Sequence, residues 1–150
     1  MTSDDLKQIL VDYARRTYER GLVGGTGGNF SARLANGHMA ITASGLNLGD
    51  TSMENLIEMD ISTYEYQPNG CYVPSKEYLF HADILRLRPD VGAVLHIHPP
   101  YATTFAVLKR DIPMVTDAAF KQPKMPRVPC LLYTSPSPRD STLDLVCRLL

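Results

Sequence analysis

Leu6, Ile9, Leu10, Tyr13 and Ala14 recur at helical spacing near the start of the chain. Ser3, Asp4 and Asp5 precede them as helix-start residues, the two acids favouring the positive end of the helix dipole. Arg15, Arg16 and Arg20 lie near the other end, and Gly21 stops the helix. The apolar period then shortens. Phe30 to Leu34 and Met39 to Thr42 are expected strands joined through Asn36-Gly37, a two-residue hairpin signal. Asp50 or Thr51 is expected to cap a short helix over Met53 to Leu56, with a further strand from Leu56 to Ile61 and a turn at Pro68-Asn69-Gly70. A regular helix is expected to open at Pro74-Ser75-Lys76-Glu77 and run to about Arg88, before Pro89. Tyr78, Ile84 and Leu85 are its core-facing residues. The run from Val91 to His98 is a strand that Pro99 and Pro100 end, Tyr101 to Leu108 starts another helix, and Asp111 to Met114 is a loop into a short strand.

The 150 residues are 44% hydrophobic and 21% charged, with a net charge of −1. That suits one domain with a real core and argues against nucleic acid or an anionic membrane as the main partner. No long apolar span or signal-peptide pattern is present, so the cytoplasm is the expected location. Cys71, Cys130 and Cys147 are odd in number and widely spaced, which fits neither a disulfide framework nor a cysteine zinc site.

Chemistry concentrates in four places. His96 and His98 are one residue apart in a strand, so both point one way while Ile97 points into the core. Two imidazoles side by side begin a site for zinc or a similar borderline metal, or form a hydrogen-bonded pair at a strand end. Five glycines stand in the eight residues from Gly21 to Gly28. They either let backbone N–H groups converge on an anion or simply connect helix to strand. Thr42-Ala43-Ser44-Gly45 suits an anion contact or an ordinary turn. Ser75 and Lys76 stand at the expected helix start, whose free N–H groups attract a phosphate. Glu77 is either an acid/base group or a surface acid, and His81, one turn on, a packed or partly exposed histidine. Asp117 is a lone acid in a cleft loop.

Together, Gly-Gly-Asn-Phe-Ser-Ala-Arg, Ile-Thr-Ala-Ser-Gly, Pro-Ser-Lys-Glu and His-Ile-His-Pro resemble, in order and spacing, the class II aldolase/adducin family. The family's members include sugar-phosphate aldolases, 4-epimerases, related decarboxylases and dehydratases, and metal-free adducin heads. The resemblance implies an α/β fold, α/β/α with a mainly antiparallel central sheet, incomplete here at the C-terminus. It also implies a homotetramer with active sites at subunit interfaces. By the same resemblance His96 and His98 are metal ligands, most simply for zinc. Gly28, Asn29, Ser44, Gly45, Ser75 and Lys76 hold a substrate phosphate. Glu77 is the acid/base carboxylate and can ligate the metal when substrate is absent. The implied function is metal-dependent, aldolase-like cleavage of a small phosphorylated sugar or sugar acid through an enediolate. Alternatives are a 4-epimerase or decarboxylase on the same site, or a non-catalytic adducin-like interaction domain.

Two departures from the family pattern stand out. Lys76 replaces the second residue of the usual serine pair. A third metal histidine normally follows well downstream of the His-x-His pair, yet the sequence holds only His38, His81, His96 and His98. From Cys130 the string Cys-Leu-Leu-Tyr-Thr-Ser-Pro-Ser-Pro-Arg-Asp resembles a translated transposon adapter of the kind used to prepare DNA sequencing libraries. The expected organisation is therefore a truncated family domain over 1–129 and a non-native tail over 130–150, with activity impaired.

Overall fold

The structure is a computed structural model that describes residues 1–117 and 121. The proposed tail and Cys130 and Cys147 lie outside the described residues. Helix α1 (Ser3–Glu19) begins at Ser3, as expected. Thr2 is the cap: its hydroxyl accepts from Asp5 N while the Asp5 carboxylate accepts from Thr2 N at 2.7 Å, a reciprocal capping box. Those bonds from Thr2 hold the Asp5 carboxyl below its ordinary pKa. Gly21, at φ +65°, ends the helix as expected.

Among the described residues four strands form one antiparallel sheet in the order β3-β2-β1-β4: β1 (Asn29–Arg33), β2 (His38–Thr42), β3 (Leu56–Asp60) and β4 (Ala93–His96). The hairpin between β1 and β2 turns at Gly37, whose φ of +82° explains the residue choice. Alternation along the strands assigns two faces. On one, Phe30 and Ala32 of β1, Leu34 just past its end, Ala40 and Leu56 pack against Leu10, Val11 and Ala14 of α1. On the other, Met39, Ile41, Ile57, Met59 and Val94 pack against Ala82 and Leu85 of α2 (Tyr78–Leu87), with Tyr78 and Ile84 at its margin. The result is the expected α/β/α layering.

Four local expectations are corrected. The short helix over Met53 to Leu56 is instead two 3-10 turns, Leu48–Asp50 and Met53–Asn55. The Asn55 side chain accepts from Ser52 N and donates to Asp50 O, so local side-chain bonds take backbone groups that a helix would need. Helix α2 starts at Tyr78 rather than at Pro74 or Ser75, with Glu77 at its N-cap. Pro74 is instead bridged to Ala43, Ser75 N donates to Thr42 O at 3.0 Å, and Ser44 N donates to Val73 O at 2.9 Å. Pairing beside the sheet keeps this stretch extended. Strand β4 stops at His96, leaving His98 just beyond it, and helix α3 (Pro100–Val107) follows. No strand forms over 111–117.

The far end of α2 is tied down from the sheet. Arg33 of β1 donates to the carbonyls of Val91 and Arg88, each at 3.2 Å, and to that of Leu85. These supply partners for carbonyls at and beyond the helix C-terminus and fix α2 over the middle of the sheet.

Candidate active site

The four chemical motifs meet at one corner, on the α2 side, where β1 begins and β4 ends. Antiparallel pairing sets Asn29 opposite His96. His96 is buried, and its Nε2 lies 2.9 Å from His98 Nε2, so both imidazoles do point to one side. Ile97 packs against the α1-side core, as alternation requires. Glu77 reaches the same corner from the head of α2: its Oε2 is 3.4 Å from His96 Nδ1. Asn29 Nδ2 donates to that same carboxylate oxygen at 2.5 Å.

His98 and Glu77 therefore meet His96 on opposite edges of its ring. Among the described residues no group of three or more His, Cys, Asp or Glu side chains is arranged to hold a metal ion. The two imidazoles nevertheless suit a borderline divalent ion. Their facing nitrogens are 2.9 Å apart, so separating by a few tenths of an ångström would let each stand about 2.0–2.1 Å from a shared ion. A carboxylate on the other ring nitrogen is a familiar way of orienting a metal-binding histidine. Glu77 is about one-third exposed, which leaves it open to a ligand as well.

The glycine loop is more than a connector at one point. Gly28 has φ +76°, and a Cβ there would lie 2.9 Å from His96 O and 3.0 Å from Val23 Cγ2. A side chain would push the loop off the end of β4. Gly24 and Gly25, by contrast, have open space around them.

The other candidate phosphate contacts gather nearby but differ in availability. The bridge at Ala43 and Pro74 brings Ser44 beside Val73 and Ser75 beside Thr42. Gly45 (φ +79°) and Lys76 are exposed, and Ser75 is buried. The expectation that backbone N–H groups at Ser75 await an anion is corrected: Ser75 N is bonded to Thr42 O and Tyr78 N to Ser75 O. Asn29 spends one amide hydrogen on Glu77 and retains the other. Asp117 is exposed.

Two members of the cluster were not among the site residues expected from the sequence, although of the two readings of His81 the packed one is observed. His81 is fully buried, with Nε2 2.5 Å from Asn29 Oδ1 and Nδ1 2.7 Å from Ser31 Oγ. Burial first, and the neighbouring His96 second, push its pKa down to about 3, so it is neutral. Phe80 packs on both rings, its centroid 4.5 Å from that of His81 and 5.6 Å from that of His96. The available signal was the alternation Asn29, Ser31, Arg33, three polar residues on a strand face that should otherwise be apolar.

The family model for the Class II Aldolase and Adducin N-terminal domain matches residues 8–146. The chain belongs to the class II aldolase/adducin family. It is 44% identical over 108 residues to a 5-methylthioribulose-1-phosphate/5-deoxyribulose-1-phosphate aldolase of Rhodospirillum rubrum, covering 72% of this chain and 47% of that protein. It is 34% identical over 108 residues to a methylthioribulose-1-phosphate dehydratase of Pseudomonas fluorescens, covering 72% and 51%. The solved structure of an L-fuculose 1-phosphate aldolase superposes with a TM-score of 0.65 at 35% identity, covering 75% of this chain and 53% of that one. The chain spans about half the length of the curated relatives it matches. The fold implied by the family resemblance is the fold observed, and the antiparallel sheet is part of it. No helix among the described residues is long and apolar enough to cross a membrane.

Proposed function

We propose that this domain belongs to a metal-dependent lyase that cleaves a carbon–carbon bond in a small phosphorylated sugar or sugar acid, through an enediolate. The observation that carries the reading is the convergence of Asn29, Glu77, His96 and His98, from three separate segments, each within hydrogen-bonding or ion-pair distance of another.

His96 and His98 would hold a divalent ion, zinc being the natural choice for paired imidazoles. Such an ion supplies Lewis-acid stabilisation of negative charge that develops beside a carbonyl. The remaining work falls to the chain's own residues. Glu77 takes or returns the substrate proton at Oε1 or Oε2, and its one-third exposure lets substrate reach it. Asn29 holds the carboxylate in one orientation while offering its second amide hydrogen to the ligand. Gly28, Ser44, Gly45, Ser75 and Lys76 bind the substrate phosphate, which positions the reacting carbons from a distance. With these two imidazoles alone, an ion would be held more weakly than by three protein ligands.

The same residues serve dehydration, epimerisation or decarboxylation, and several relatives are named as dehydratases and one as a decarboxylase. An adducin-like binding role is disfavoured by the retention of His96, His98 and Glu77 together. The test pairs zinc titration by calorimetry with turnover of 5-deoxyribulose 1-phosphate, methylthioribulose 1-phosphate and fuculose 1-phosphate, products identified by NMR. Zinc binding that is lost in His96→Ala and His98→Ala, with an aldehyde among the products, is the expected result. Zinc affinity equal in wild type and both variants removes the metal centre. A dehydrated or epimerised product without cleavage moves the chemistry to the corresponding alternative.

A further inference from the structure

We propose that Ser31 and His81 are positioning residues. They form a one-way chain of hydrogen bonds, Ser31 to His81 to Asn29 to Glu77, that aims the Glu77 carboxylate at the site. The inference rests on the reading of Glu77 as the proton-transferring group.

The direction of every bond follows from the end that admits no choice. An ionised carboxylate accepts and cannot donate, so the Asn29 atom 2.5 Å from Glu77 Oε2 is the amide nitrogen. The amide oxygen must then face His81 Nε2, also at 2.5 Å. Because that oxygen only accepts, Nε2 carries the imidazole hydrogen. In a neutral ring Nδ1 is then a bare acceptor, and the Ser31 hydroxyl, 2.7 Å away, is its donor. For the neutral ring one assignment satisfies all three contacts: turning the Asn29 amide breaks two of them, and moving the imidazole hydrogen to Nδ1 breaks the bond to Asn29. Every buried side-chain polar atom among the described residues has a partner, so no competing acceptor draws the chain apart.

The placement of the chain's ends gives it a purpose. Ser31 is the middle residue of β1, paired on one side with Ile41 and on the other with Val94, and it is fully buried. It is as rigid an anchor as the sheet offers. Glu77 is the opposite case: it stands at the N-cap of α2, makes no capping hydrogen bond with its side chain, and is partly exposed. Left alone, a carboxylate there would sample several rotamers. The imidazole bridges these extremes. It rides on α2, which Arg33 clamps to the same strand that carries Ser31 and Asn29. Its neutral form matters, because an imidazolium would present two donors and turn the Ser31 hydroxyl around.

The test reads the chain directly. Nitrogen-15 imidazole spectra of the full chain are expected to show His81 as the neutral Nε2–H form from about pH 5 to pH 8, with a slowly exchanging Nε2 hydrogen. The Nδ1–H form would overturn the proposal. In His81→Gln the amide nitrogen falls near the Nε2 position and can still donate to Asn29, whereas His81→Phe keeps the ring and loses the donor. The Asn29 side-chain amide is expected to stay protected from exchange in His81→Gln and to lose protection in His81→Phe; equal exchange in both overturns the chain. In turnover, His81→Phe should lower kcat by about tenfold to a hundredfold with KM within about twofold, and His81→Gln should recover most of that loss. Equal loss of kcat in the two variants reduces His81 to a packing residue. Where Phe at this position prevents folding, Ser31→Ala serves: faster exchange of the His81 Nε2 hydrogen is expected, and an unchanged rate overturns the link to Ser31. The spectra need no substrate. A wild-type chain inert toward every phosphorylated sugar would end the catalytic reading while the spectra still decide the chain of bonds.

Discussion

The two faces of the sheet are built to different rules. Against α1, the core is mainly apolar: Phe30, Ala32, Leu34, Ala40 and Leu56 meet Leu10, Val11, Ala14, Val23 and Leu48, and the buried hydroxyls of Thr17 and Thr42 bond only to backbone. Against α2, an equally dry cluster around Met39, Ile41, Met59 and Leu85 gives way, toward the junction of β1 and β4, to buried Asn29, Ser31, His81 and His96. A polar group taken out of water costs roughly 1–3 kcal/mol when it is left without a partner. The second face keeps four such residues because each is bonded to another. We expect the α1 face, with no charged or imidazole group in its core, to carry the larger share of the stability. The α2 face gives up some apolar packing to hold a constellation in fixed geometry.

Cutting into the apolar face should produce the largest change in stability. Phe30→Ala removes a ring that is 1% exposed and should destabilise the fold by about 3–5 kcal/mol in urea denaturation, a typical cost for a buried aromatic. A loss under about 1 kcal/mol would mean that the α1 face can collapse around the cavity and is not the stability reservoir. The polar corner should answer in the opposite way. Glu77→Gln should lower turnover by at least about a hundredfold while shifting stability by no more than about 0.5 kcal/mol. Near-normal turnover would take the proton-transfer role away from Glu77, with Asp117 or a tyrosine next to be tried.

The smallest of the three effects is a dependence on pH. His81 titrates at about 3 in the fold against an ordinary 6.5, because burial disfavours its charged form. Below 6.5 the unfolded chain therefore binds a proton that the folded chain refuses. Stability from this group is complete above 6.5 and is lost progressively as the pH falls toward 3. By about pH 5 the loss should be about 2 kcal/mol. Denaturation of wild type and His81→Gln at about pH 7 and about pH 5 isolates it, because the glutamine variant lacks the titrating group. An equal acid sensitivity in both proteins would assign it to other histidines.

Much of this architecture was legible along the chain. The helix over Ser3–Glu19, the hairpin at Asn36-Gly37 and the paired orientation of His96 and His98 all follow from local periodicity and turn chemistry. The start of α2 was not legible. Pro74 and Ser75 are good helix-start residues, but their backbone is drawn into pairing with Thr42–Ser44, thirty or so residues earlier. A local preference was overridden by a long-range partner that no window of the sequence contains. His81 escaped for a related reason. Its spacing from Glu77 was visible, while Asn29 and Ser31 lie about fifty positions away.

By itself, then, the sequence determined which residue types are present and which local segments they favour, because helix period, strand alternation and turn preference are short-range properties. Its ordered motifs also named the family. Only the tertiary structure decided that Glu77 meets His96 at Nδ1 while His98 meets it at Nε2, and that Gly28 has no room for a side chain beneath His96. It alone decided that His81 is neutral at the centre of a bonded chain. Those outcomes depend on distances between segments far apart in sequence and on how completely packing excludes water, and both exist only once the layers have closed.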